Sequence, residues 1–347
     1  MSEVAAAFDQ ALEDLLPFSD VLARAEADRS LPAEVRAEII GMGWNALVTS
    51  EESGGLGLTV GQMMELCAVA GRHLLPVALL DESLLLAPAL AHAARPALAG
   101  VLEGTVAGGA GYVAPGSGTV DSSGKLSVSG VGVRLSPGAK WVALAHPHWT
   151  AVVSLDDPAI RPTPADALDR GQGVHTLSIR GVRPELILDG WTAGEKVAAR
   201  WLAGLLSDLV GGAHRVLSMS VAHARVRQQF GRPLIRFQAV THRLAEMKAR
   251  LELMRSALAR LAFLMERRAW DESFLAGLLW SVPAYAREVC ESAIQVHGGV
   301  GFTWEYGLHL YYRRILSLQS MLGGALDTAA AAGQAYLNSL ADGSVTS

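Results

Sequence analysis

Arg225-Val-Arg-Gln-Gln-Phe-Gly-Arg-Pro-Leu-Ile-Arg-Phe-Gln-Ala-Val-Thr-His242 is the most informative stretch of the chain. Gly231 and Pro233 interrupt two long helical patterns, so the segment reads as a connector between helices. Arg225, Arg227, Arg232 and Arg236 fall within twelve residues of one another. Guanidinium forks so placed can grip a diphosphate bidentately, and Gln238, at the opening of the next helix, can hydrogen-bond a polar ring or a ribose. Composition alone also suits a solvated basic loop. A second segment, Gln295-Val-His-Gly-Gly-Val-Gly-Phe302, directly follows a helical pattern. Its glycines end that helix and let a backbone come close to a ligand, although the strand-then-helix setting of a dinucleotide fingerprint is missing.

The texture on either side divides the chain into three. Residues 1–103 read as an N-terminal helical domain: Phe8, Leu12, Leu15 and Leu16 keep a near-3.6 period, Glu34 to Met42 makes a short helix, Thr59 caps another through Gly71, and Leu84 to Ala94 makes one more. Residues 104–192 turn to Val, Ser, Thr, Gly and Pro, with alternating runs at Lys125–Ser129 and Trp149–Ser154. They read as a middle β domain or barrel. Residues 193–347 read as a bundle of four long helices, Glu195 to Gln229, Gln238 to Glu266, Glu272 to Val296 and Leu326 to Leu340. Leu244, Met247, Leu251, Met254, Leu258 and Leu261 recur at three- and four-residue spacing, which is the pattern of core packing. The fold class is therefore α+β and multi-domain.

Composition limits the function classes. The 347 residues carry 29 Lys+Arg against 34 Asp+Glu, a net charge of −5, with half of them apolar. That balance gives no electrostatic footprint for nucleic acid or for an anionic membrane surface. The apolar run from Pro76 to Ala94 is broken by Asp81, Glu82 and His92, short of the ~20 clean residues of a bilayer span. Cys67 and Cys290 stand far apart and the first residues show no basic-then-apolar leader, so the expected compartment is the cytoplasm. His242, His297 and His309 are scattered without metal-like pairing, and no metal is expected.

Taken together, in this order and about sixty-five residues apart, the two segments resemble the signature of the acyl-CoA dehydrogenase family, Arg-x-x-Phe-Gly-x-Pro and Gln-x-x-Gly-Gly-x-Gly. The resemblance extends to Gly43-Trp44-Asn45-Ala46-Leu47-Val48, Glu51, Gly54-Gly55-Leu56-Gly57 and Val182-Arg183-Pro184, all in family order. It implies an N-terminal helical domain, a middle β-barrel domain and a C-terminal four-helix bundle, with FAD at a subunit interface. It also implies that Arg227, Gln229, Phe230, Gln238, Gln295, Gly298 and Gly299 reach across to a neighbour's FAD.

The departures from the family are as informative. Most members take the α-proton with a glutamate in a Tyr-Glu-Gly-Thr segment, and counting from Arg313 puts Leu322 there, followed by Gly323-Gly324. Some carry the glutamate on the first bundle helix, where the count from Arg227 lands on Trp201, next to Leu202 in place of the usual arginine. Neither side chain can accept a proton. Glu246, Glu288, Glu291 and Glu305 are the bundle carboxylates that could replace the base, in charged settings that suit i,i+4 pairing. The segment that usually holds the flavin ring survives only as Val113-Ala-Pro-Gly-Ser-Gly118.

The resemblance thus implies the short, base-less subunit of a heterotetrameric, actinobacterial steroid side-chain type of acyl-CoA dehydrogenase. Its partners would be a larger subunit carrying the catalytic Glu, an acyl-CoA substrate and an electron-transfer flavoprotein, with FAD shared between subunits. A flavin monooxygenase of the same fold and a flavin-free structural subunit remain as alternatives.

Overall fold

The computed structural model describes residues 2–189, 197–269 and 271–341. In chain order the elements are α1 (Glu3–Leu15), α2 (Phe18–Glu26), α3 (Ala33–Gly41), α4 (Val60–Arg72), α5 (Val77–Asp81), a π-helical turn (Glu82–Leu86), α6 (Ala87–His92) and α7 (Ala97–Leu102). Next come β1 (Ala107–Tyr112), β2 (Gly118–Val120), β3 (Leu126–Leu135), β4 (Ala139–His146), β5 (Trp149–Ser154), β6 (Thr163–Pro164), β7 (Val174–Val182) and β8 (Leu186–Asp189). The remainder is α8 (Val197–Val226), β9 (Gln228–Gln229), β10 (Arg232–Pro233), α9 (Gln238–Glu266), α10 (Glu272–His297), α11 (Leu308–Met321) and α12 (Gly324–Ala341). Helices, then a sheet, then helices follow in the order the texture predicts. The boundary proposed at 192/193 and the expected helix start at Glu195 lie outside the described residues.

The chain forms two compact units. One comprises Met1–Glu26, Met64–Leu74 and Leu206–Ser347, and the other Ala27–Met63 and Leu75–Leu205.

In the second unit the sheet runs β6-β7-β3-β1-β4-β5-β8, with β2 paired to β3. It is mixed, because β1 and β4 pair in parallel while the other neighbours are antiparallel. β7 buries alternate residues, whereas β1, β4 and β5 are buried over consecutive residues on both faces; Val128, Val133, Val142, Leu144, Val153 and Leu177 belong to the core. The apolar run from Pro76 behaves differently from the expectation of one helix over Leu84–Ala94. Helix begins at Val77 and passes through the π turn at Glu82–Leu86, where two consecutive buried carboxylates, Asp81 and Glu82, each meet a separate set of partners.

In the first unit, α9 occupies the expected Gln238–Glu266 and buries the whole predicted stripe, Leu244, Met247, Leu251, Met254, Leu258 and Leu261. α8, α10 and α12 match the other three expected helices, and α11 is an additional one. Its buried face includes Arg314 and Gln319, so polar residues interrupt the apolar stripe by which a helix is recognised. Arg314 lies 3.4 Å from Asp208 and donates to the Leu74 carbonyl. α4 and α8 touch backbone to backbone: a Cβ on Gly71 would stand 1.9 Å from the Asp208 carbonyl oxygen, and one on Gly211 1.8 Å from that of Ala68. Only glycine permits that approach. Among the described residues no helix is long and apolar enough to cross a membrane. Cys67 and Cys290 are free and buried, and burial pushes both thiols well above their ordinary pKa.

Candidate dinucleotide site

α8 ends at Val226, and the predicted connector folds into a small hairpin in which Gln229 pairs with Arg232. The Leu234 N–H donates to the Arg227 carbonyl at 2.8 Å and closes it. Phe230 stands at the tip, 91% exposed, in left-handed backbone (φ 52°) that a non-glycine residue rarely adopts. A large apolar side chain held out at such a cost points to a surface meant to be covered. The Arg232 guanidinium lies 4.2 Å over the Phe237 ring, which itself meets Phe230 edge-on at 6.2 Å. Arg227, Gln229 and Gln238 are all exposed.

At the end of α10, Gln295 is exposed and Gly298 turns the chain at φ 63°, ψ −140°, a conformation open to glycine alone. A Cβ on Gly298 or Gly299 would meet nothing within 4 Å, so this backbone is open to an incoming molecule. The two segments are brought to one end of the helical unit by a ring contact. His223, in the last turn of α8, lies 4.4 Å from His297, the last residue of α10. Burial holds both imidazoles below their ordinary pKa; for His223 the Arg227 charge adds to it, whereas for His297 a bond to the Ala293 carbonyl opposes it.

These residues fit a dinucleotide. Among the described residues none of the Arg225, Arg227, Arg232 or Arg236 guanidinium groups pairs with a carboxylate, so their charge is available to phosphate oxygens. The glycine turn offers open backbone on the segment joined to theirs by the His223–His297 contact. When FAD is bound there, Arg227 would hold the diphosphate, while Gln238, Gln295 and the Gly298–Gly299 backbone would take its polar edges.

The two positions examined for a base hold no acid. In the sheet unit Trp201 is 1% exposed, and its indole N–H donates to Asp81 at 2.7 Å. Asp81 is in turn gripped by Arg134 through Nε at 2.8 Å and Nη2 at 2.6 Å. Burial pushes the Asp81 carboxyl upward, and Arg134 and Trp201 oppose it. In the helical unit Leu322 is buried at the end of α11. The four glutamates weighed as replacements are paired or exposed: Glu246 lies 4.0 Å from Arg250, Glu288 pairs with the same arginine, Glu291 pairs with Arg287 and accepts from Tyr312, and Glu305 is exposed. Ala114 to Ser117 forms a tight turn with Gly116 at φ 85°.

Sequence reasoning missed the Asp81–Arg134–Trp201 cluster and its neighbour, in which Glu82 accepts from Arg36 at 2.6 Å, from Asn45 at 3.4 Å and from the Gly108 N–H at 3.0 Å. A signal was present, since charges inside an apolar run require buried partners. The sheet unit also holds a cavity of about 390 Å³, lined partly by Arg36, Ser136, Gln172 and His175, which contains none of the predicted site residues. No group of three or more metal-ligating side chains occurs among the described residues.

Comparison with known proteins agrees with the sequence signature. The family profile described as "Acyl-CoA dehydrogenase, C-terminal domain" matches residues 189–329. The acyl-CoA dehydrogenase FadE28 of Mycobacterium tuberculosis is 30% identical over 305 residues, covering 81% of this chain and 86% of FadE28. The acyl-CoA dehydrogenase FadE34 of the same organism is 30% identical over 302 residues, covering 84% of this chain; the match spans only 40% of FadE34's length. A solved variant of the Tcur3481–Tcur3483 steroid ACAD has the same fold, with a TM-score of 0.81 at 24% identity over 98% of each chain.

Proposed function

The chain belongs to the acyl-CoA dehydrogenase family, and from that premise we propose that it is a base-less subunit of a heteromeric acyl-CoA dehydrogenase. In this reading it lends half of an FAD site to a larger partner that carries the glutamate. The domain limits 1–103, 104–192 and 193–347, the site residues named above and a cytoplasmic location belong to the same proposal.

The observation that carries it is the state of the two base positions: Trp201 and Leu322 are both buried and neither can titrate. The exposed, unneutralised end of the helical unit supports the donated half-site, because groups set up for phosphate and left without internal partners serve something outside the chain. The reaction is α,β-desaturation of an acyl-CoA thioester. The partner's carboxylate takes the α-proton, and FAD, when bound, supplies the acceptor for the β-hydride. An electron-transfer flavoprotein would be the redox partner. The two-part name and the word steroid attached to the Tcur3481–Tcur3483 structure support a partner subunit and a steroid side-chain CoA thioester as substrate class.

Steady-state assays with acyl-CoA thioesters and an artificial electron acceptor test the proposal. The isolated chain is expected to show no turnover, and its complex with the larger subunit to turn over. Robust turnover by the homogeneous chain alone would contradict it.

A further inference from the structure

We propose that His223 and His297 are positioning residues whose closely packed rings hold the arginine-rich connector and the glycine turn in one arrangement for receiving FAD. The inference rests on the flavin half-site reading above and extends it to how that half-site is kept in shape.

The geometry is specific. The His223 carbonyl accepts the Arg227 N–H at 2.9 Å, so the ring is one helical turn from the first phosphate-gripping arginine. His297 immediately precedes Gly298 and is 6% exposed. Its Nδ1 lies 2.8 Å from the Ala293 carbonyl oxygen, which only accepts, so the proton sits on Nδ1 and Nε2 carries the lone pair. That Nε2 is buried, and the Met219 carbonyl acts on the ring in the same direction as that of Ala293, opposing the effect of burial. The imidazoles lie 4.4 Å apart with planes 33° apart, and Tyr306, from the turn beyond the glycines, closes on His297 at 4.6 Å and on His223 edge-on at 5.9 Å. The glycine turn folds tightly over these rings: a Cβ on Gly301 would stand 3.0 Å from the His297 Cβ. Three rings from three elements therefore link the ends of α8 and α10.

The charged and titratable groups facing the rings are Arg227 at the end of α8, Tyr306 on the turn and the two imidazoles themselves. Burial, with Arg227 acting on His223, keeps the pair neutral near pH 7. A proton on either ring would place a cation beside Arg227 or against the other imidazole, loosening the clamp. Flavin retention should consequently fall as pH drops below the ordinary imidazole value of ~6.5.

The test uses the complex obtained by co-expressing the chain with the longer homologue carrying the glutamate, with bound FAD read from its visible absorbance after dialysis at a series of pH values. His223→Ala is expected to lower FAD retention roughly two- to tenfold at neutral pH, the worth of one ring contact. His223→Phe, which keeps a ring and cannot titrate, should retain FAD at neutral pH and flatten its acid loss. In the chain alone, the His223 ring should titrate at higher pH, by NMR, in Arg227→Ala than in the wild type. FAD lost from Arg227→Ala but fully kept by His223→Ala, or an acid loss identical in His223→Phe and wild type, would overturn this inference while leaving the half-site reading in place. FAD content unchanged in Arg227→Ala would overturn both.

Discussion

The polar cluster of the sheet unit and that of the helical unit are opposites. Asp81, Arg134 and Trp201 satisfy one another: both carboxylate oxygens are occupied, Asp81 and Trp201 are at most 1% exposed, and Arg134 is 2% exposed. The connector arginines pair with no carboxylate among the described residues and stand in solvent. A buried network closed on itself holds a fold together and ties its carboxylate to fixed donors, whereas an open cationic end contributes little to its own fold and is suited to a ligand. Carboxylate chemistry in one place and cationic charge in another thus divide into structure and recognition.

The largest effect should come from breaking the closed cluster. Asp81→Ala leaves the Arg134 charge buried and unpaired and should lower the stability of the sheet unit by about 3–5 kcal/mol in urea unfolding. Arg227→Ala, in contrast, should change stability by no more than about 0.5 kcal/mol. Equal losses would erase the contrast. Leu322→Glu puts an unpartnered carboxylate at a buried helix end, so a cost on the order of 3 kcal/mol is expected, with no gain of turnover in the isolated chain.

At the open end the readout is flavin rather than stability. Arg227→Ala in the complex should cut FAD occupancy about tenfold, because a charge-assisted bond to phosphate is worth ~1.5–3 kcal/mol, and Gln295→Ala should cost about threefold as a neutral bond. A further effect concerns pH. His146 stacks on Trp149 at 4.7 Å and is pushed down to about 4 by burial, with His148 adding to it. The unfolded imidazole titrates near ~6.5 and binds more protons than the folded one below that value. The stability this group contributes is therefore complete above pH ~6.5 and declines as pH falls toward 4. His146→Phe should flatten that part of the stability profile, followed by near-UV circular dichroism.

Much of this architecture was legible in the sequence because it is carried by period and punctuation. The α9 stripe from Leu244 to Leu261, the limits of β5 and the two glycine-containing breaks follow from residue spacing and local backbone preference. What escaped depends on contacts between distant residues. His223 and His297 are 74 positions apart in sequence and look like scattered histidines until the fold brings their rings within 4.4 Å. α11 was hidden by Arg314 and Gln319, whose burial becomes intelligible for Arg314 only once Asp208 and the Leu74 carbonyl are beside it. The π turn was hidden likewise, since two adjacent carboxylates reveal nothing of the arginines, Arg134 and Arg36, that receive them.

The central claim is that this chain completes an FAD site it does not own, and the most direct measurement is solution mass with flavin stoichiometry on the complex co-expressed with the longer, glutamate-bearing homologue. A two-plus-two assembly with FAD in half of the possible sites is expected. A stable monomer, or a homotetramer of this chain holding one flavin per chain, would contradict it.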